Sequence, residues 1–188
     1  MHIILLTHER ELFKKTNTGR LVEALDGLNV TRITWQRTCP DASLLEWIKE
    51  GNIGLLYPEK TPSNENSFTD ESAGFDGKPE PILQLNKQKV ALLSTFILID
   101  STWQESRKIF NRSPYLKLLP RVSLESAGES KFILRRNQVD GGLCTAESVI
   151  ALLRMSKQNL LANKLETDFH AFIGHVKNSP KQNHLSVG

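Results

Sequence analysis

The sequence predicts an α/β domain with a mostly parallel sheet flanked by helices. Short apolar runs that are typical of buried strands alternate along the chain with amphipathic segments of helical spacing. The most apolar run ends in Phe96-Ile97-Leu98-Ile99, a composition typical of a parallel strand that is covered on both faces. The 188 residues suffice for one sizeable core, so we expect a single domain over residues 1–178.

The strands are predicted from apolar runs and from one alternating run. Residues 30–35, Val-Thr-Arg-Ile-Thr-Trp, alternate between apolar and polar side chains as half-buried strands do. Short apolar runs that end at charges or turn residues predict the remaining strands, which cover residues 3–6, 53–57, 96–99, 121–124 and 132–135.

Each predicted helix begins near a residue whose side chain can bind the free amides of the first turn. Asn17 or Thr18 precedes a helix that carries Leu21, Val22 and Leu25 at helical spacing. Further helices are predicted from Asp41 or Ser43 to Gly51, from Trp103 to about Asn111, from Thr145 with Ala146, Val149, Ile150 and Leu153 on one face, and from about Glu166 to Lys177.

Two segments depart from this alternation. Residues 59–89 are rich in proline, serine, asparagine, glycine and charge, which predicts a polar, partly mobile surface excursion. Residues 179–188 predict a flexible tail.

The composition excludes several classes of protein. With 39% hydrophobic and 24% charged residues, the chain is not wholly disordered or collagen-like. Cys39 and Cys144 are too few for a disulfide framework or a cysteine-based zinc ribbon. No apolar run is long enough for a signal peptide or a membrane span, so we expect a cytoplasmic protein without membrane contact.

The basic residues are concentrated in the second half of the chain. The whole chain has a formal net charge of +3, whereas residues 101–140 carry eight basic and four acidic side chains. Phosphate contacts are most plausible there. An ordinary solvated face is the alternative interpretation of so modest an excess.

The segment Asp100-Ser101-Thr102-Trp103 follows the most buried strand directly. Ligands of open parallel sheets bind beyond the carboxyl ends of the strands, so this position favours a functional site. A structural interpretation is also available, in which Asp100 caps the next helix, with Ser101 or Thr102 sharing that role, and Trp103 belongs to the core.

This strand end resembles the signature of the DTW-domain family of tRNA-uridine aminocarboxypropyltransferases, which are related to the ribosomal RNA enzyme of the same chemistry. The chain lacks the N-terminal cysteine cluster of many members, so no metal is implied, and its 59–89 excursion looks longer than usual. Further segments match the family pattern in order, namely Thr16-Asn17-Thr18-Gly19-Arg20-Leu21, Leu55-Leu56-Tyr57-Pro58, Leu119-Pro120-Arg121-Val122, Leu134-Arg135-Arg136 and Leu143-Cys144-Thr145-Ala146-Glu147-Ser148.

The resemblance implies a SPOUT-like fold with a C-terminal trefoil knot. It also implies S-adenosylmethionine as co-substrate and tRNA as partner. The 3-amino-3-carboxypropyl group would move to N3 of a uridine, with release of methylthioadenosine. The alternatives are a SPOUT-like, S-adenosylmethionine-dependent RNA methyltransferase and a non-catalytic RNA-binding module.

The resemblance also assigns residues to roles. Asp100, with Thr102 and Trp103, would form the catalytic set, Asp100 accepting the uridine proton. If so, Asp100→Asn should keep the fold and lose most of the modification. The donor-binding candidates are Thr18, Gly19, Tyr57, Leu134, Gly142, Leu143 and Thr145.

Structural alternatives exist for several of these residues. Thr18 and Thr145 can be plain helix caps, and Gly141-Gly142 can serve a loop of positive φ. Tyr57 and Trp103 can be platforms for a base or core residues.

The RNA-binding candidates are the basic residues near the motifs. Arg135 and Arg136 are adjacent on a predicted strand, so at most one of them faces the site. His8 and Glu9 follow the first strand and can line the cleft, although a lone histidine there is more often structural. The full RNA-binding set is Arg107, Lys108, Arg121, Arg135 and Arg136.

Overall fold

The computed structural model describes residues 1–58, 88–124 and 143–178. Within these ranges five strands form one sheet in the order β2-β1-β4-β3-β5, and every neighbouring pair is parallel. The predicted parallel α/β architecture is therefore confirmed. The strands are β1 His2–Thr7, β2 Asn29–Thr34, β3 Ile53–Leu56, β4 Thr95–Asp100 and β5 Arg121–Val122.

Helices connect and cover the strands. The last helix begins at Asn159, so the prediction of a start near Glu166 was wrong. Two helices of four residues each were not predicted, because one turn is too short to show helical periodicity. The helices are α1 Glu9–Leu12, α2 Gly19–Glu23, α3 Ala42–Glu50, α4 Trp103–Arg112, α5 Pro114–Lys117, α6 Thr145–Met155 and α7 Asn159–Asn178.

Some predictions fall outside the described residues. They are the strand at 132–135, the tail at 179–188 and the excursion from 59 to 87. Residues 88 and 89, the end of that excursion, lie in a helical segment over 88–92. No helix within the described ranges combines the length and hydrophobicity needed to span a bilayer.

The sheet is covered on both faces, because successive side chains of each strand point to opposite sides. On the first face, Leu5 and Leu98 pack in one core cluster with residues of α6 and α7 such as Leu153. On the second face, Ile97 packs in another cluster that includes Ile109 of α4. Near-continuous apolar strands are what this double burial requires.

The parallel arrangement gathers all strand ends at one edge, which we call the carboxyl edge. The register pairs Thr7 of β1 with both Thr34 of β2 and Asp100 of β4. Residues 96, 98 and 100 share the first face, whereas residues 53, 55 and 57 share the second. Asp100 ends β4 and Tyr57 directly follows the neighbouring β3, but their side chains point to opposite faces of the sheet.

Candidate functional site at the carboxyl edge

The Asp100 carboxylate is fully buried and accepts hydrogen bonds from four side chains. Its Oδ2 accepts from Asn17 Nδ2 and Arg32 Nη1, each at 2.8 Å, and from Thr7 Oγ1 at 3.3 Å. Its Oδ1 accepts from Thr145 Oγ1 at 2.7 Å. We refer to these five residues as the Asp100 cluster. The cluster joins strands β1, β2 and β4 to the segments that begin α2 and α6.

Arg32 supplies the positive charge that this buried carboxylate requires. Its guanidinium lies 2.8 Å from Asp100 and 2.8 Å from Glu23. Burial alone would lower the pKa of Arg32, but the hydrogen bonds and charges of Glu23 and Asp100 outweigh burial and raise it. Arg32 is therefore a permanent cation within the cluster.

Gly19 allows the T-N-T-G segment to approach the carboxylate. A Cβ atom at this position would lie 2.6 Å from Asp100 Oδ2 and 2.9 Å from Arg32 Nη2. The neighbouring Asn17 both donates to Asp100 and accepts from the backbone amide of Arg20 at 3.2 Å. This glycine is thus required by close packing against the carboxylate.

Thr18 links the start of α2 to the start of α6. It is buried at the N-cap position of α2, but its hydroxyl makes no capping bond to that helix. Instead Thr18 Oγ1 accepts from the backbone amide of Ala146 at 3.3 Å. Asn17 is the side chain that accepts from an amide of α2. Of the two predicted capping residues, it is therefore Asn17 whose side chain caps this helix.

The first turn of α6 differs from the predicted capping. Cys144 is the N-cap residue, and its amide donates to Glu147 Oε2 at 2.9 Å. Thr145 is the first helical residue, and its hydroxyl donates to Asp100. The interpretation of Thr145 as the cap was therefore wrong, because the hydroxyl is used in the Asp100 cluster.

Thr102, not Asp100, caps α4. Thr102 Oγ1 accepts from the amide of Glu105 at 3.3 Å and donates to Glu105 Oε2 at 3.0 Å. Burial would raise the pKa of Glu105, but these bonds to Thr102 and the charges of His8 and Lys14 lower it overall. The structural interpretation of Asp100 as a helix cap is excluded.

Tyr57 lies in a stack of three aromatic rings on the second face of the sheet. Its ring is 4.4 Å from that of Phe110 and 5.9 Å from that of Trp103, both nearly parallel. Its hydroxyl is buried and has no hydrogen-bond partner among the described residues. Burial raises the pKa of the Tyr57 phenol, and the charges of Arg107 and Arg121 oppose that rise. We call Tyr57, Trp103 and Phe110 the aromatic stack.

Two of the basic candidates, Arg107 and Arg121, lie near the aromatic stack. Arg107 and Lys108 of α4 are exposed, and the half-buried Arg121 guanidinium lies 4.8 Å from the centre of the Phe110 ring. Since Arg107 and Arg121 both act on the Tyr57 hydroxyl, they flank the same position. Outside the described residues lie Arg135, Arg136, Leu134 and Gly142.

The D-x-T-W segment therefore serves two neighbouring regions. Asp100 belongs to the cluster on the first face, and the half-buried Trp103 belongs to the aromatic stack on the second face. Thr102 lies between them as the cap of α4. Leu143 is half-buried and precedes the start of α6. The two regions meet where the chain leaves β4.

His8 has a structural role. Its Nδ1 accepts from the amide of Arg10 at 3.2 Å, which caps α1, and its ring stacks on that of Trp35 at 6.0 Å. Glu9 is exposed in the first turn of that helix. The structural alternative for His8 is thus the one that the geometry supports.

Thr7 and Arg32 were not predicted as site residues, and Asn17 was predicted only as a helix cap. Thr7 is the last residue of β1, so its position matches that of Asp100 on the paired strand. Arg32 lies inside β2 and is itself half-buried. Because charged side chains are seldom buried without a partner, an arginine inside a half-buried strand indicates an acidic partner, but it does not identify which one.

Comparison with known proteins gives consistent matches. A family model described as the DTW domain matches residues 1–177. A Drosophila melanogaster protein named tRNA-uridine aminocarboxypropyltransferase 2 is 27% identical over 126 residues, covering 63% of this chain and 50% of that protein. A Mus musculus protein of the same name is 32% identical over 126 residues, covering 66% of this chain and 37% of that protein. The chain thus spans half or less of these relatives, and no solved structure matches it.

Proposed function

The chain belongs to the DTW domain family, and from that membership we propose that it transfers the 3-amino-3-carboxypropyl group of S-adenosylmethionine to N3 of a uridine in tRNA. The names of the fly and mouse relatives support the reaction and the substrate class. The observation that carries the proposal is the Asp100 cluster, which brings together three of the segments by which the chain resembles this family.

The bonds that form and break in this reaction define what the protein must hold in place. The uridine N3 gives its proton to solvent, or to Asp100 if that residue acts as the base. A bond forms from N3 to the terminal methylene of the transferred group, and the bond from that carbon to sulfur breaks, leaving methylthioadenosine. S-adenosylmethionine supplies the activated carbon at its sulfonium. Three carbons are attached to that sulfur, so the orientation of the donor decides which one reacts.

Asp100 is proposed as a positioning residue. Its carboxylate is fully buried and accepts from four side chains, so a uridine would have to displace existing bonds to reach it. Its effect would be exerted through the segments that it holds, 17–19 and 143–146. Acceptance of the N3 proton by Asp100 is the competing role, and the two roles predict different behaviour of Asp100→Asn.

The donor is proposed to bind along the segment 143–145 and the adjoining T-N-T-G segment. The hydroxyls of Thr18 and Thr145 already bind protein groups, so their role would be to fix these segments. Main-chain groups near Gly19 and Leu143 would then meet the donor. Residues 134 and 142 are proposed to complete this site.

The aromatic stack fits the donor on chemical grounds. The buried Tyr57 hydroxyl can donate a hydrogen bond but has no partner among the described residues, which is unusual for a buried polar group. A carboxylate or a ribose hydroxyl of the donor would satisfy it. The half-buried Trp103 ring on the same stack is proposed as the platform for the uridine base.

The tRNA backbone is proposed to contact the cations beside the stack, Arg107, Lys108 and Arg121, with one of Arg135 and Arg136. The first two are exposed, and Arg121 is oriented by its contact with Phe110. Phosphate contacts of this kind position a substrate without reading its sequence.

A SPOUT-like fold with a C-terminal trefoil knot remains part of the proposal. In support, Thr145 and Ala146 lie at the carboxyl edge and bond Asp100 and Thr18, which come from the first two-thirds of the sequence. A crystal structure that resolves residues 125–142 tests whether the chain threads through a loop there.

The direct test incubates purified protein with an unmodified tRNA transcript and S-adenosylmethionine, followed by mass spectrometry of the nucleosides. We expect a uridine that carries the aminocarboxypropyl group. A methylated nucleoside would instead identify a methyltransferase, and an unchanged nucleoside pool with intact tRNA binding would identify a binding module.

A matched pair of variants tests the site. Arg107→Gln should weaken tRNA binding and reduce the slope of log affinity against log salt by about one unit. Lys49→Gln removes an exposed charge two residues before Gly51, at the opposite end of the sheet. Equal effects of the two substitutions would overturn the proposed position of the RNA.

A further inference from the structure

We infer that Phe13 and the basic residues around it form a second tRNA contact, in which the Phe13 ring stacks on an unpaired base. The inference rests on the proposed function and adds a surface that is separate from Arg107, Lys108 and Arg121. Three observations carry it, namely the exposure of Phe13, the charge of its segment and its attachment to the Asp100 cluster.

Phe13 is 91% exposed although it is a large aromatic residue. The other large apolar side chains of comparable exposure in the described ranges are aliphatic, namely Leu92, Leu118 and Leu160. Single exposed apolar residues are common, so exposure alone identifies no site. The aromatic ring differs because both of its faces are available for stacking.

The segment that carries Phe13 is basic. Residues 8–20 contain the two acids Glu9 and Glu11, and Glu11 is buried and pairs with Lys14. Four basic residues against these two acids leave a net charge of +2 on thirteen residues. The basic side chains are all exposed and are those of Arg10, Lys14, Lys15 and Arg20.

Hydrogen bonds tie this segment to the candidate site. The amide of Lys14 donates to the carbonyl of Glu11 at 3.3 Å, and the amide of Asn17 donates to the carbonyl of Lys14 at 3.0 Å. Asn17 itself donates to Asp100. Phe13 is four residues from Asn17, so their Cα atoms are at most about 14 Å apart. The segment that carries Phe13 therefore lies near the carboxyl edge, where β1 ends.

An exposed aromatic ring on a basic segment matches single-stranded RNA. Unpaired bases stack on aromatic side chains, and the flanking phosphates bind nearby lysines and arginines. A uridine that is modified at N3, its base-pairing edge, must be unpaired, and so neighbouring unpaired bases are within reach. The proposed occupant is an unpaired base of the tRNA loop that contains, or adjoins, the modified uridine.

The test compares substitutions of Phe13 in binding to an unmodified tRNA transcript. Phe13→Leu keeps an exposed apolar side chain but removes stacking, and we expect the affinity to fall about 5- to 100-fold. Phe13→Trp keeps stacking, so we expect affinity equal to or above that of the unsubstituted protein. A Phe13→Leu protein that binds as tightly as the unsubstituted protein overturns the inference.

Two further variants separate stacking from charge and from general surface effects. Lys15→Gln should reduce the salt slope of binding by about one unit, whereas Phe13→Leu should leave the slope unchanged. Leu160→Ala should have no effect on tRNA binding. Leu160 is two residues beyond Gln158, which lines a cleft with Met1 at the opposite end of the sheet from Phe13.

The outcomes distinguish this inference from the proposed function. If the unsubstituted protein modifies tRNA and Phe13→Leu modifies it with unchanged KM, the function holds and the Phe13 contact is wrong. If the unsubstituted protein neither binds nor modifies tRNA, both are wrong. If Phe13→Leu abolishes capture of an acidic protein rather than binding of tRNA, the surface serves a protein partner and the inference fails.

Discussion

At the scale of single residues, Asp100 shows how much one buried carboxylate can organise. Each of its four partners comes from a different segment of the chain, and each bond is possible only if those segments are correctly placed. The charge of Arg32 offsets the cost of burying Asp100, and Gly19 leaves the space that both groups occupy. This residue therefore couples folding to the shape of the candidate site.

The pairing with Arg32 alters what Asp100→Asn should do. Asparagine cannot supply the negative charge, so the substitution leaves a buried cation with Glu23 as its remaining acidic partner. We expect a loss of about 3 kcal/mol in unfolding free energy, the lower end for a broken buried pair. Urea denaturation measures this loss, which leaves the variant folded but less stable than the unsubstituted protein.

Donor affinity separates the two roles of Asp100. A positioning residue predicts that Asp100→Asn weakens S-adenosylmethionine binding as well as turnover. A proton acceptor predicts normal donor affinity with turnover lowered about 10²- to 10⁴-fold. Normal affinity in calorimetry, together with lost turnover in a folded variant, would contradict the positioning role.

Cys144 makes the stability of the protein depend on alkaline pH. The thiol is buried in the first-face core, and burial, with the charge of Glu147, raises its pKa to about 12 from 9.0. Between these values the unfolded chain loses a proton that the native chain retains, so stability falls as the pH rises, by about 1.4 kcal/mol per unit. Below pH 9 this thiol contributes no pH dependence.

Matched cysteine variants measure this effect. The unsubstituted protein should lose about 1.4 kcal/mol more per pH unit above pH 9 than Cys144→Ala does in urea denaturation. Cys39→Ala, which removes an exposed cysteine, serves as the control and should behave as the unsubstituted protein. Parallel stability curves for the unsubstituted protein and Cys144→Ala would refute the assignment.

The sequence alone could place Asp100 but not its partners. Its position at the end of the most apolar run follows from local composition. The bonds to Thr7, Arg32 and Thr145 join residues 93, 68 and 45 positions apart, and no local pattern contains such information. Gly19 was recognised by a motif, whereas the reason for the glycine lies in the approach of a side chain from β4.

At the scale of elements, the helix that follows β4 depends on Thr102. The Thr102 hydroxyl accepts a hydrogen bond from the amide of Glu105 and donates one to its carboxylate, so two hydrogen bonds hold the first turn of α4. That turn carries Trp103, one ring of the aromatic stack. Local capping is thereby linked to the position of a proposed base platform.

Substitution of Thr102 tests this link. Thr102→Ala should cost about 1 kcal/mol of unfolding free energy, because a helix cap is lost. It should also lower turnover, because the first turn of α4, which carries the Trp103 ring, is then no longer held by the Thr102 hydroxyl. Thr102→Ser keeps the hydroxyl and should restore both properties, and a serine variant as impaired as the alanine variant would exclude capping as the cause.

The predicted elements agree with the structure where local signals are strong. Asp41 and Gly51 bound α3 as capping residues should, and β2 follows the alternating run to within one residue. The start of α7 was missed because its first turn, Asn-Leu-Leu-Ala, follows α6 after only three residues, so one amphipathic pattern runs into the next. In α1 and α5 a single turn offers no periodicity.

At the scale of the whole molecule, the parallel sheet places two different groups of side chains on its two faces at the carboxyl edge. The first face holds the charged Asp100 cluster under α6, and the second face holds the aromatic stack with its flanking arginines. The apolar strands predicted this sheet, but the division depends on side-chain alternation at strand ends. A shift of one residue in β4 would move the Asp100 side chain to the opposite face of the sheet and separate it from its partners.

This arrangement predicts that the donor stabilises the whole fold. A ligand held by segments 17–19 and 143–145 binds only when both are assembled on Asp100, so it favours the native state. At a donor concentration of about 100 times Kd the gain is about 2.7 kcal/mol. For a chain of this length we expect the Tm to rise by about 5–11 °C in S-adenosylmethionine, measured by calorimetry.

Two variants serve as controls for the rise in Tm on donor binding. Asp100→Asn disturbs both segments, so its Tm should rise less than that of the unsubstituted protein at equal donor concentration. Lys49→Gln lies at the other end of the sheet, so its Tm should rise as much as that of the unsubstituted protein. Hydrogen exchange should slow at the amides of residues 143–148 when the donor is present, because these amides lie at the proposed contact. An unchanged Tm in millimolar donor would show that the two segments do not form a donor site.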